Sequence, residues 1–139
     1  MAQPVDLDSL IEILNLCRQD NIHVLIVGNG SNLLVKDRGV KACVINFDRD
    51  AFKNINIEDN IVTIGSGFCI SSLLNILSDK GLSGIEFLAG IPATVGGALA
   101  MNAGGDKWIS NCVEEVTVMN LKGEVNVLSK NNIDFKYRS

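Results

Sequence analysis

Between Gly90 and Gly105 the chain runs through sixteen residues, of which five are glycine and four alanine. Backbone with so little side chain packs only where another backbone or a ligand presses against it. Pro92 and Thr94 stand where a helix would begin, and Thr94 is placed to cap the free N–H groups of its first turn. Such a helix start offers backbone donors and the positive end of a dipole to a phosphate or diphosphate. The same composition also suits a helix whose small residues merely admit a neighbouring backbone, and the pattern is no P-loop. Gly90, Ile91, Pro92, Ala93, Thr94, Gly96 and Gly97 are the candidate contacts here.

A second glycine-rich stretch lies upstream. Val24-Leu25-Ile26-Val27 is an unbroken apolar run that ends abruptly in Gly28-Asn29-Gly30-Ser31-Asn32. The run predicts a buried strand stopping in a tight loop. Gly28 and Gly30 permit positive φ and close backbone approach, and Ser31 and Asn32 add short polar groups. A loop of this kind makes a nest of N–H donors for an anion, although a plain β-turn between strands reads the same way. A Rossmann fingerprint requires a third glycine leading into a helix. Leu33 stands there instead, followed by more apolar residues, so the loop is not of that type.

With 139 residues, the chain is long enough for one domain with a real core. Hydrophobic residues make up 47% and charged residues 20%, which excludes a disordered chain. A net charge of −4 gives no basic footprint for nucleic acid, and Lys36, Arg38 and Lys41 form only a small cluster. No run is long and apolar enough to span a membrane, and the N-terminus lacks a signal pattern, so the cytoplasm is the expected location. Cys17, Cys43, Cys69 and Cys112 are scattered, and His23 is the one histidine, which argues against a metal site and a disulfide framework. Cys17 and Cys43 read as reduced core residues, His23 as structural, and Trp108 as the anchor of a short helix.

The spacing of Leu7, Leu10, Ile11, Ile13, Leu14 and Cys17 predicts a helix capped by Asp6, Asp8 or Ser9. Strands follow at 24–27 and 42–45, with a short apolar piece at 33–35. The polar segment from Asp48 to Asp59 is the best boundary, dividing the chain into lobes 1–47 and 48–139. Ile55–Ile57 and Ile61–Ile64 alternate as a hairpin around Glu58-Asp59-Asn60. Gly65-Ser66-Gly67 closes it, and a helix carrying Leu73, Leu74, Ile76 and Leu77 runs to a stop at Gly81. Val113–Met119 and Glu124–Leu128 form a further hairpin around Leu121-Lys122-Gly123.

Three segments together, Gly28–Val35, Gly90–Gly104 and the terminal Tyr137-Arg138-Ser139, resemble the UDP-N-acetylenolpyruvylglucosamine reductase family, along essentially the whole chain. The resemblance implies an α+β fold, a two-lobed FAD-binding domain of the vanillyl-alcohol-oxidase (PCMH) type, with Ala93-Thr94 where many relatives have Gly-Ser or Gly-Thr. It implies noncovalent FAD, NADPH as hydride donor, a UDP-sugar substrate and reduction of an enolpyruvyl double bond in peptidoglycan synthesis. Gly28, Asn29, Gly30, Ser31, Asn32, Leu33 and the 90–97 segment would contact the diphosphate. Gly65 and Gly67 would line the adenosine or ribityl side, and Asn102, Ala103 and Gly104 would approach the isoalloxazine.

Arg138 matches the family's catalytic arginine and Tyr137 the substrate-side tyrosine beside it; a guanidinium suits an enolpyruvyl carboxylate or developing enolate. Relatives begin with one more strand than Met1–Val5 supplies and carry their proton-donating serine and a glutamate in a substrate-binding domain beyond the Tyr-Arg-Ser motif. None of Ser31, Ser66 and Ser139 matches that serine. The expectation is a cofactor-holding piece that does not complete the reaction. A non-catalytic nucleotide-binding module and another FAD-linked oxidoreductase of the superfamily are the alternatives.

Overall fold

Helix α1 (Leu7–Gln19) begins where its sequence asks. The Asp6 carboxylate accepts the Ser9 N–H at 2.8 Å, and Ser9 Oγ accepts the Asp6 N–H at 3.1 Å, so orphan donors are satisfied reciprocally. Leu10, Leu14 and Cys17 lie one above the other on its buried face. The structure is a computed structural model that describes residues 1–136.

Beneath α1, β1 (Val24–Ile26) and β2 (Cys43–Ile45) pair in parallel, Val24 opposite Cys43. Ala2 forms a parallel bridge to Ile45, donating to Val44 O at 2.7 Å and accepting from Asn46 N at 3.0 Å. The N-terminal segment thus reaches the sheet through a single bridged residue. Ile45 is fully buried and, with Leu10 and Leu14, forms a cluster that also gathers Val24, Phe47, Phe52 and Met119. The Phe47 and Phe52 rings lie 4.7 Å apart. Both strands end at the same edge of the pair, and that shared edge is where open α/β folds place ligands.

The rest of the chain adds two antiparallel hairpins and two helices. Strands β3 (Ile55–Glu58) and β4 (Ile61–Ile64) are joined by Asp59-Asn60, with Asp59 at φ +53°. Helix α2 (Ile70–Asp79) buries Ile70, Leu73 and Leu77. It stops at Gly81, whose φ of +69° lets Leu82 N–H return to Leu77 O at 2.9 Å. The six-residue α3 (Val95–Ala100) sits in a second cluster of Ile70, Leu88, Ala93, Ala98, Ala103 and Ile109. Strands β5 (Glu115–Met119) and β6 (Val125–Ser129) form the last hairpin, its turn lying against Ile11 of α1.

One expectation changes. The apolar run at 24–27 is not a buried strand: Leu25 and Ile26 are 37% and 51% exposed. The pair is covered by α1, and Ile26 opens onto the groove described below. The apolar piece at 33–35 is irregular and exposed. Leu33 N–H turns back to Gly30 O at 3.1 Å, and Leu34 is 98% exposed.

Ile45→Ala should lower unfolding stability by about 2–5 kcal/mol through the cavity it leaves, read from a urea titration. The Asp6 carboxyl titrates below its ordinary value because Ser9 donates to its charged form. Its capping contribution is therefore present above about pH 4 and fades as pH falls through the depressed value. The melting-temperature gap between wild type and Asp6→Ala should be largest near neutrality and close in acid.

Candidate functional site

The C-terminal ends of β1 and β2, the start of α2 and the glycine-rich segment enclose a groove with two arms. One, about 510 Å³, is walled by Asn46, Phe47, Asp48, Lys53, Gly67, Phe68, Cys69 and Ser72. The other, about 380 Å³, runs between loop 26–33 and Ile91 to Gly104, and its walls are mainly apolar. Gly28, Asn29 and Thr94 belong to both. The arms meet there.

Close backbone contacts make this junction. A Cβ on Gly28 would stand 2.6 Å from Thr94 Oγ1, so the loop lies directly on the helix cap. Asn29 Nδ2 donates to Pro92 O at 3.3 Å, and Asn32 Nδ2 reaches Met101 Sδ at 2.9 Å. Asn46 Nδ2 donates to Val27 O and Gly28 O, both at 2.9 Å. These bonds fix the loop's ends. Only Gly30 of its two glycines uses positive φ, at +73°; Gly28 is needed for proximity.

The start of α3 differs from expectation. Thr94 does cap it, accepting from Gly97 N–H at 3.2 Å. Val95 N–H, however, donates to Phe68 O, and Gly96 N–H to Ser66 O, both at 2.8 Å. The first-turn donors are therefore consumed within the protein, and Gly96 does not offer a phosphate cradle. Its lack of a side chain serves packing: a Cβ there would lie 2.8 Å from Ser66 Cβ.

The upstream loop supplies donors instead. Among the described residues, nothing accepts from the backbone N–H groups of Gly28, Asn29, Gly30, Ser31 and Asn32. Five consecutive donors on residues that line the groove are thus left without internal partners, which suits an anion with several acceptor oxygens.

Of the other expected residues, Leu33, Ile91, Pro92, Ala93, Gly97, Ala103 and Gly104 line the apolar arm and Gly67 the polar one. Gly65, Gly90, Gly96 and Asn102 line neither. A Cβ on Gly65 would meet Phe52 O at 2.3 Å, a packing demand. Gly90 serves a turn at φ +80°. Asn102 is buried at φ +43°, its Oδ1 accepting from Ser110 N–H at 3.3 Å, so it shapes the turn after α3 instead of facing the groove. Tyr137 and Arg138 lie outside the described residues.

Asn46, Asp48 and Lys53 also line the groove and were not among the expected residues, whereas Cys69 was noted only as a thiol near an element start. A polar residue directly after a buried strand end, as Asn46 is, was the available signal. Lys53 pairs with Asp48, and its ammonium holds the Asp48 carboxyl below the ordinary range, with Arg49 adding to the effect. The Cys69 thiol is lowered by its hydrogen bond to Ser71, 3.3 Å away, with smaller help from the α2 N–H groups and Asn29. No cluster of three or more metal-ligating side chains occurs among the described residues.

A groove with bare backbone walls and, among the described residues, a row of unpartnered N–H groups suits an anionic ligand such as a nucleotide. A family model described as an FAD binding domain matches residues 1–129, and the chain belongs to that family. It is 40% identical over 138 residues to the UDP-N-acetylenolpyruvoylglucosamine reductase of Heliobacterium modesticaldum, covering 99% of this chain and 44% of that protein. The reductase of the same name from Clostridioides difficile is 39% identical, with 99% and 45% covered. The chain thus spans less than half the length of these relatives.

Among solved structures, UDP-N-acetylenolpyruvylglucosamine reductase from Thermus caldophilus superposes with a TM-score of 0.79 at 34% identity, covering 96% of this chain and 47% of that one. Cholesterol oxidase from Brevibacterium sterolicum shares the fold at a TM-score of 0.72 and 18% identity, covering 91% and 28%. The fold is the α+β, two-lobed FAD-binding domain of the PCMH type.

Gly67→Ala would force a Cβ to within 1.9 Å of Phe47 O. That substitution and Gly96→Val should each lower stability by about 1–3 kcal/mol through overpacking, measured by urea unfolding without any ligand. Thr94→Ala should cost about 1 kcal/mol for the lost cap.

Proposed function

We propose that this chain is the FAD-binding part of an NADPH-dependent reductase that converts UDP-N-acetylglucosamine enolpyruvate to UDP-N-acetylmuramate for peptidoglycan. The observation that carries the reading is the row of unpartnered N–H groups from Gly28 to Asn32 at the meeting of two arms. It suits a diphosphate with a group extending to either side. The names carried by the similar proteins supply the reaction.

In this reading the diphosphate takes hydrogen bonds from the 28–32 loop, with Thr94 beneath it. Ile26, Leu33, Ile91, Met101, Ala103 and Gly104 give the apolar arm a surface for the isoalloxazine, and burying that ring accounts for the exposure of Ile26 and Leu33. FAD supplies the two-electron redox chemistry when bound, and the protein contributes orientation and exclusion of water. We take the cofactor as noncovalent, the lobes as 1–47 and 48–139, and the location as the cytoplasm, where its four free cysteines stay reduced. Tyr137 and Arg138 are assigned to the substrate on the family motif, and the chain alone is expected to hold FAD without turnover.

The purified chain should carry a flavin absorption band through gel filtration, and FAD fluorescence should quench on titration. Absence of quenching at high micromolar FAD would sink the proposal. Ser31→Asp places a carboxylate beside the donor row on an exposed loop. It should weaken FAD by about tenfold or more while leaving the melting temperature unchanged.

A further inference from the structure

We infer that Asp48 and Lys53 form the element that selects an adenosine-bearing dinucleotide over a flavin mononucleotide, Asp48 accepting the hydroxyls of the adenosine ribose. This rests on the FAD reading above and assigns the second arm of the same groove. Neither residue lies in the segments that carry the family resemblance.

The argument begins from the asymmetry of the two arms. The apolar arm has bare backbone at Ala103 and Gly104 and apolar side chains about it, a surface for a flat ring. The polar arm encloses about 510 Å³, and both its charged side chains, Asp48 and Lys53, pair with one another. A mononucleotide seated on the donor row would fill one arm and leave the other to water. A dinucleotide occupies both, and the chemistry of the polar arm then states what enters it.

A carboxylate held ionised is an acceptor without a donor proton, so it matches a pair of vicinal hydroxyls, as acidic residues do at ribose in other nucleotide folds. An unpaired carboxylate in the same groove as a diphosphate would repel it. Lys53 removes that conflict by making the pair neutral overall while leaving carboxylate lone pairs for the sugar. The side chains are 60% and 35% exposed, at the groove rim, so the pair contributes little to folding and is available to a ligand.

The experiment titrates FAD, FMN and ADP into wild type, Asp48→Asn and Lys53→Met, with circular dichroism confirming unchanged melting. Asp48→Asn should weaken FAD and ADP by about tenfold, the scale of one hydrogen bond to a charged group, and leave FMN unchanged. Lys53→Met should weaken ADP, and removing Asp48 in the same chain should recover part of that loss. Weakening of FMN with ADP unaffected would put Asp48 on the ribityl side and overturn the inference, as would three unchanged affinities. Wild type that binds ADP but not FAD would refute the FAD reading while the ADP response to Asp48→Asn still decided this one.

Discussion

The side-chain amide of Asn46 donates to the carbonyl oxygens of Val27 and Gly28, each at 2.9 Å, and the groove is built outward from that clamp. Parallel pairing brings the ends of β1 and β2 together, so the residue after Ile45 stands beside the residues after Ile26. With two carbonyls of the departing loop held, the next five N–H groups leave the sheet without folding back onto it. Donors kept apart from their own chain are available to a ligand. An apolar side chain at position 46 would leave both carbonyls to other partners and the loop path unspecified.

Close approach of backbones does the remaining assembly. Gly28 lies against the Thr94 cap, Gly67 against Phe47 O, and Gly96 against Ser66, each at a distance that excludes a Cβ. Ile70 N–H donates to Ala93 O and Val95 N–H to Phe68 O, stitching the entries of α2 and α3 into one wall. These contacts join the cluster around Ile45 to the one around Ile70, and the groove lies where they meet.

Much of this was legible beforehand. The Asp6 cap, the two hairpins, the stop at Gly81 and the Thr94 cap follow from local chemistry, and local chemistry is what a sequence displays. Most of the 28–33 and 91–104 residues do line the groove, because a bare backbone has few other uses. The errors came where burial depends on what lies opposite. Leu25 and Ile26 are apolar enough for a core but have no second layer over them in the described chain. Asn46, Asp48 and Lys53 gave no periodic signal, since their role arises from strand ends meeting in space.

The sequence by itself determined the family, the helix and strand elements, and the two glycine-rich segments between which a cofactor would lie. It marked the start of α3 and the 28–32 loop as equally rich in backbone donors. The tertiary structure separated them. Residues 66–68 pass across the first turn of α3 and take its N–H groups, whereas Asn46 and Asn29 hold the 28–32 loop by its start and a side chain and leave its N–H groups without partners among the described residues. A donor's availability depends on which other segment reaches it, and that is decided only when the whole chain has packed.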